Sequence, residues 1–124
     1  MKICISASSN SLDANVDPRF GRCPYFVIVD SETMESKVVL NDSTNAAHGA
    51  GIQAAQTVVN SGATVVITGN VGPNAFKVLF ATGIKIITGF SGSIKEAIEK
   101  YKNGELQETT NPTVGGHFGM GKGQ

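Results

Sequence analysis

Hydrophobic and polar positions change their period repeatedly along the chain. Lys2 to Ala7 (KICISA) sets Ile3 and Ile5 against Lys2, Cys4 and Ser6, the two-residue period of a strand. From about Ser8 to Pro24, SSNSLDANVDPRFGRCP follows neither the strand nor the helix period. A stretch of that length in a compact domain is functional or mobile, or else a plain surface connection. YFVIVD (Tyr25 to Asp30) then reads as a second strand, SETM as a turn and ESKVVLN (Glu35 to Asn41) as a third strand, so the first three strands form an antiparallel meander.

Beyond Asn41 the pattern becomes helical. In STNAAHGAGIQAAQTVVNSG, Ser43, Thr44 and Asn45 are candidate caps, Ile52, Ala55, Val58 and Val59 form an apolar face, and Gly62 is the stop. TVVIT (Thr64 to Thr68) has no polar alternation, as expected of a strand covered on both faces. GNVGPNAFKVLFATG places Pro73 in a first helical turn, with Phe76, Leu79 and Phe80 on one face and Gly83 as the stop. IKIIT is a fifth strand. Ser93 and Glu96 then form a capping box for a helix that buries Ile94, Ala97, Ile98 and Tyr101 and ends at Asn103-Gly104. The order β-β-β-α-β-α-β-α, with right-handed crossovers, predicts an α/β fold. Its mixed five-stranded sheet has the order 3-2-1-4-5, with strand 2 antiparallel and three helices on its faces. Residues 1–110 read as one domain and 111–124, glycine-rich and without period, as a flexible tail.

Composition narrows the classes of partner. The chain has 124 residues, enough for one core without disulfide or metal staples, and its 10 basic and 10 acidic residues balance. Neither nucleic acid nor an anionic membrane is recruited by such a charge. No run approaches a membrane span and no signal peptide is evident, so a cytoplasmic monomer is expected. Asn41-Asp42-Ser43 is then a chance glycosylation match, and Cys4, inside the first strand, reads as a small buried hydrophobe.

The strand order also locates a site. Strands one, three, four and five point the same way and antiparallel strand two begins at the edge where they end. The loop before Pro24, the turn Asn41 to Gly49, Gly69 to Gly72 and Gly89 to Ser93 therefore share one edge. Strands one and four are neighbours whose connections leave in opposite directions, which is the switch point where open α/β sheets bind ligands. Arg19, Arg22, Cys23, His48, Gly49, Asn70 and Gly72 fall on this edge.

DPRFGRCPYFVIVD (Asp17 to Asp30) together with GNVGPNAFKVLFATGIKIITG (Gly69 to Gly89) resembles the dinitrogenase iron-molybdenum cofactor biosynthesis family, in its small single-domain form, over roughly residues 1 to 105. The element order resembles the ribonuclease H-like motif. The resemblance implies a small carrier or chaperone domain for an iron-sulfur-based metallocluster, not an enzyme, working between donor and acceptor proteins. Members outside nitrogen fixation mean that no nitrogenase need be involved.

The residues at the edge are compatible with such a cargo. A thiolate at Cys23 and a neutral imidazole at His48, near a helix N-terminus, suit iron, copper or zinc better than magnesium or calcium. Two ligands fall short of the four that a structural zinc or a cluster assembled on the protein requires, but they could hold a cluster made elsewhere. Equally, Cys23 could pack at a strand entrance and His48 could bond a carbonyl at a helix start. Arg19 and Arg22 divide between neutralising an anionic cargo and pairing with Asp17. No acid lies between Asp42 and Glu96, and three helix N-termini are expected to open on the edge. His117, with Met120, is a further possible ligand if the tail returns to this edge.

Competing motifs fail on context. GAGIQA (Gly49 to Ala54) fits a dinucleotide fingerprint but lacks the acid about 20 residues on, and GNVGPN lacks the Lys-Ser/Thr of a P-loop. The inner strands carry no carboxylates for two-metal nuclease chemistry. A Cys23-His48 nucleophile pair has no orienting third residue. The alternative from another class is an interaction or regulatory domain binding a partner protein or a small anion without metal.

Overall fold

The computed structural model describes residues 1–11, 13–42 and 49–112. Its elements are β1 (Lys2–Ala7), β2 (Tyr25–Asp30), β3 (Ser36–Leu40), α1 (Ala50–Asn60), β4 (Val65–Ile67), α2 (Pro73–Ala81), β5 (Lys85–Ile87) and α3 (Ile94–Lys102). The sheet has the expected order β3-β2-β1-β4-β5. β2 is antiparallel to both its neighbours, and β4 and β5 run parallel to β1. No helix among the described residues is long and apolar enough to cross a membrane.

Two core layers follow from the alternation of side chains across the strands. On one face Cys4, Phe26, Ile28, Val66 and Ile86 meet Ala54, Ala55 and Val58 of α1 and Phe76 and Leu79 of α2. On the other, Ile3, Ile5, Val27, Val65 and Ile67 meet Ile94, Ala97 and Ile98 of α3. Central strand β1 is thus covered on both sides, and its polar-looking positions Cys4 and Ser6 are fully buried. Ser6 is accommodated because its hydroxyl donates to the Asp17 carbonyl at 2.7 Å and bonds the Thr68 hydroxyl, also at 2.7 Å.

The helix faces are narrower than periodicity suggests. α1 buries Ala50, Ala54, Ala55 and Val58, while Ile52 stays exposed. Phe80 of α2 is also exposed and stacks on Phe76, with ring centroids 5.6 Å apart. The cause is close contact between the helices: a Cβ on Gly51 would lie 3.3 Å from the Cβ of Ala75, so small residues fill the seam and the bulky ones turn outward. α1 starts only at Ala50, with Gly49 as its N-cap at φ 72°; the candidate caps Ser43, Thr44 and Asn45 lie outside the described residues.

The aperiodic stretch before Pro24 is built into the domain. The Val16 N–H donates to Gly92 O and the Asp17 N–H to Ser6 O, both at 2.8 Å, and single-residue bridges join Ala7 to Val16, Asn15 to Ser93 and Arg19 to Asn70. Val16, Asp17, Phe20 and Cys23 are buried. After α3 the chain returns along β5, where the Thr109 N–H donates to Ile86 O at 2.6 Å and Thr109 Oγ1 accepts from the Thr88 N–H at 3.1 Å. Residues 113–124, with His117 and Met120, lie outside the described residues.

Candidate functional site

Register fixes which loops meet. Tyr25 opens β2 opposite Ala7, the last residue of β1, while Asp30 faces Lys2 at the other end. The Cys23 amide donates to Arg19 O at 2.9 Å, and Arg19 bridges Asn70, so the turn before β2 and the loop after β4 share one edge. Gly62 lies at the far edge, where its Cβ position would be 3.8 Å from Lys2 Nζ.

At the convergent edge lies a cleft of 290 Å³ lined by Phe20, Gly21 and Arg22 from the turn, Gly49 to Ile52 from the start of α1, and Gly72 to Ala75 from the start of α2. Its floor is backbone against backbone: a Cβ on Gly21 would sit 3.1 Å from Gly51 Cα. One loop further in, a Cβ on Gly69 would sit 2.6 Å from Pro18 Cα, so only glycine lets the loop after β4 pass under the Asp17–Arg19 segment. Neither Gly49 nor Gly72 supplies a side-chain cap, and neither helix carries an acid in its first turn. Two helix N-termini, each with first-turn N–H groups that the helix's own ladder does not use and a partial positive charge, therefore open on the cleft beside Arg22, and among the described residues no carboxylate lines it. The third N-terminus differs from expectation. α3 is closed by its own capping box, in which Ser93 Oγ accepts from the Glu96 N–H at 3.1 Å and Glu96 Oε1 from the Ser93 N–H at 2.9 Å.

The two arginines have separate places. Asp17 is buried, and its carboxylate accepts from the Arg19 N–H at 2.8 Å and from Arg19 Nε and Nη2 at 3.1 Å each. That two-pronged bond fixes the bend of the loop and, with the carboxylate's charge, holds the Arg19 guanidinium even more firmly protonated. Arg22 is exposed and lines the cleft. Asn70 accepts from the Phe20 N–H at 3.2 Å and donates from its own N–H to Pro18 O at 2.8 Å and from Nδ2 to the same oxygen at 3.3 Å. It is a positioning residue for the turn above it.

Cys23 stands at the expected edge, but its thiol faces inward and not onto the rim. The residue is fully buried, Sγ donates to Phe20 O at 3.3 Å, and Asn41 Nδ2 donates to Cys23 O at 2.7 Å. Burial, followed by the Asp17 charge, pushes the thiol up to about 12, with a partial offset from Asn41. At neutral pH it is a protonated packing group in the same core layer as Cys4, whose thiol burial also raises well above its ordinary value. The packing alternative for Cys23 thus matches the geometry, because a residue next to the strand entrance follows the inward face of Phe20 and Phe26. His48 and His117 lie outside the described residues. Among the described residues no three His, Cys, Asp or Glu side chains converge as a metal site. The cleft also includes Gly21, Gly51, Ile52 and Asn74, whose signal in the sequence was a density of small residues at two helix starts.

A larger groove of 710 Å³ lies between α1 and β3, lined by Lys2, Asp30, Glu35 and Lys37 among others. Both signs of charge face it, and it is at the far edge, away from the converging loops.

With this geometry in place, comparison with known proteins gives a consistent family. The family described as dinitrogenase iron-molybdenum cofactor matches residues 1–104. The chain belongs to this family. A Methanocaldococcus jannaschii family relative, the uncharacterized protein MJ0580, is 34% identical over 111 residues, covering 87% of this chain and 91% of its own length. Among solved structures, the apo form of the orange protein from Desulfovibrio gigas superposes with a TM-score of 0.89 at 41% identity, covering 91% of this chain and 96% of that one. A Thermotoga protein assigned provisionally to NifB gives 0.79 at 36% identity, over 91% of this chain and 97% of that one.

Proposed function

We propose that this family member is a non-enzymatic carrier that receives a preassembled, anionic iron-sulfur-based metallocluster in the cleft between Arg22 and the starts of α1 and α2. The observation that carries this reading is the pairing of two helix N-termini, each with glycine as its N-cap, with an arginine over a glycine floor where no carboxylate lies among the described residues. N–H groups and a guanidinium offer charge-assisted bonds to sulfide and oxo edges without forming a closed ligand cage. Such a grip suits a cargo that must later be given up.

In this reading Gly21, Gly49 and Gly72 let the cargo approach the backbone, Arg22 neutralises its charge, and Arg19 and Asn70 hold the turn. His48, next to Gly49, and His117 are the replaceable soft ligands. Cys23 anchors the turn from below in the described conformation; a ligand role for it would require the turn to lift and the thiol to lose its proton. Delivery from a donor and to an acceptor protein takes place in the cytoplasm. The family and the likeness to the orange protein in its apo form support a cofactor-handling role.

A second reading follows from the generic chemistry of the cleft: N–H groups and an arginine would also hold a small oxyanion without metal. Anaerobic titration separates the two. A synthetic anionic iron-sulfur cluster should bind with a perturbed absorption spectrum, and Arg22→Glu should weaken it by about tenfold or more while the circular dichroism spectrum is unchanged. Binding of phosphate with no binding of the cluster would favour the metal-free reading; equal cluster affinity in Arg22→Glu would refute the site.

A further inference from the structure

Among the described residues β3 is the last strand on its side of the sheet and pairs with β2 alone. Its ladder fixes which backbone groups point outward. The Asp30 N–H donates to Glu35 O and the Asn41 N–H to Pro24 O, bracketing a register in which Lys37 opposes Ile28 and Val39 opposes Phe26. Hydrogen-bonded pairs alternate in an antiparallel ladder, so Lys37 and Val39 spend their amides on β2, and the N–H and C=O groups of Ser36, Val38 and Leu40 point away from the sheet. The side chains of these three lie on the α3 face, since Val38 is in register with Val27 of that layer. Among the described residues α3 is the one helix on that face, packing across β1 beside Ala14 and Val16, whereas two helices cover the other. Val38 is consequently 40% and Leu40 60% exposed.

Edges of this kind are normally blunted by a proline, a bulge or a charge. β3 has neither proline nor bulge, and its one charge, Lys37, is in register with Ile28 on the opposite face. Charge also selects among the ways β3 could meet a second copy of itself. Centred on Lys37, antiparallel self-pairing puts Lys37 against Lys37 of the other copy, a destabilising like-charge pair. Centred on Val39, it joins Val38 to Leu40 but leaves Ser36 opposite Asp42, outside the strand, and forms only two hydrogen-bonded pairs. Centred on Val38, all three outward residues bond, Val38 meets Val38 and Lys37 meets Val39, with no like charges opposed.

We propose that β3 pairs antiparallel with β3 of a second copy about a two-fold axis at Val38, joining the two sheets edge to edge. This goes beyond the carrier reading, does not rest on it, and departs from the monomer expected of the sequence. A single short strand per copy makes the association weak and concentration-dependent. Because the strands are antiparallel, the two clefts lie at opposite ends of the joined sheet and both stay open. The contact is isologous, so it closes at two copies.

The test is sedimentation velocity of the full chain from low micromolar to millimolar concentration, combined with cysteine cross-linking. Dimer should accumulate with concentration, and Val38→Lys, which opposes two like charges, should weaken association about tenfold with an unchanged circular dichroism spectrum. Under mild oxidation Val38→Cys should give a linked dimer, while Leu40→Cys, more exposed but opposite Ser36 of the other copy, should not. The native Cys4 and Cys23 are fully buried and serve as silent background. A monomer at every concentration, a dimer indifferent to Val38→Lys, or preferential linking through Leu40→Cys would each overturn the proposal. So would a monomer whose Ser36, Val38 and Leu40 amides are protected from exchange, since another segment of the same chain would then hold the edge.

Discussion

Alkaline pH should destabilise this domain through its two buried thiols, and the effect can be worked out for Cys23. Its ordinary value is 9.0 and its folded value about 12. The folded protein therefore keeps the proton in a range where the unfolded chain has lost it. Stability from this group is fully present below pH 9, falls as pH rises, and is exhausted near 12. At pH 10 the unfolded state gains about 1.4 kcal/mol from ionising this one cysteine, while the folded thiol is still almost wholly protonated. Cys4, raised in the same direction by burial, adds to the loss. Urea unfolding at pH 8, 9 and 10 should show a falling midpoint, and Cys23→Ala should flatten the pH dependence while lowering stability at pH 8 by about 1 kcal/mol for the lost packing and the bond to Phe20. Iodoacetamide should label native Cys23 far more slowly than a free thiol at pH 8. An unchanged alkaline slope in Cys23→Ala, or rapid labelling of the folded protein, would refute the buried, protonated thiol and return Cys23 to the rim as a ligand.

Three further substitutions probe the scaffold under the cleft. Gly69→Ala should cost about 1–3 kcal/mol in urea unfolding, because the new methyl would lie 2.6 Å from Pro18 Cα and backbone must move to admit it. Arg19→Ala should cost about 1–2 kcal/mol by leaving the buried Asp17 carboxylate with little more than the backbone N–H of residue 19, read by the same method. Thr109→Val removes the acceptor of the Thr88 amide and should speed hydrogen exchange at Thr88 without altering that at Val66 in the sheet centre.

The fold was readable because each strand announces itself by composition and the crossover rule leaves one arrangement. KICISA, TVVIT and IKIIT are short and β-rich, and helices with glycine stops at Gly62 and Gly83 precede the last two, so right-handed crossovers put β1 between β2 and β4. What could not be read was what depends on pairs of distant residues. The 8–24 stretch has no period because it is held by isolated bonds to Ser6 of β1 and to Asn70 and Gly92 of two different loops. Ile52 and Phe80 were expected inside because a helical stripe does not reveal that Gly51 and Ala75 draw α1 and α2 together. The edge of the candidate site was legible from topology, and so was the pairing of one arginine with Asp17, which the structure gives to Arg19. The depth of Cys23 was not, since a thiol beside a strand entrance reads alike on the rim and in the core.

Binding of an anionic cluster in the cleft at the starts of α1 and α2 is best tested by amide chemical-shift mapping during anaerobic titration with a synthetic iron-sulfur cluster. Shifts or broadening should concentrate at Gly21, Arg22, Gly49 to Ile52 and Asn74 to Ala75, with the far groove around Lys2, Lys37 and Ser61 silent. Perturbation centred on that far groove, or none at all with the cluster in excess, would contradict it.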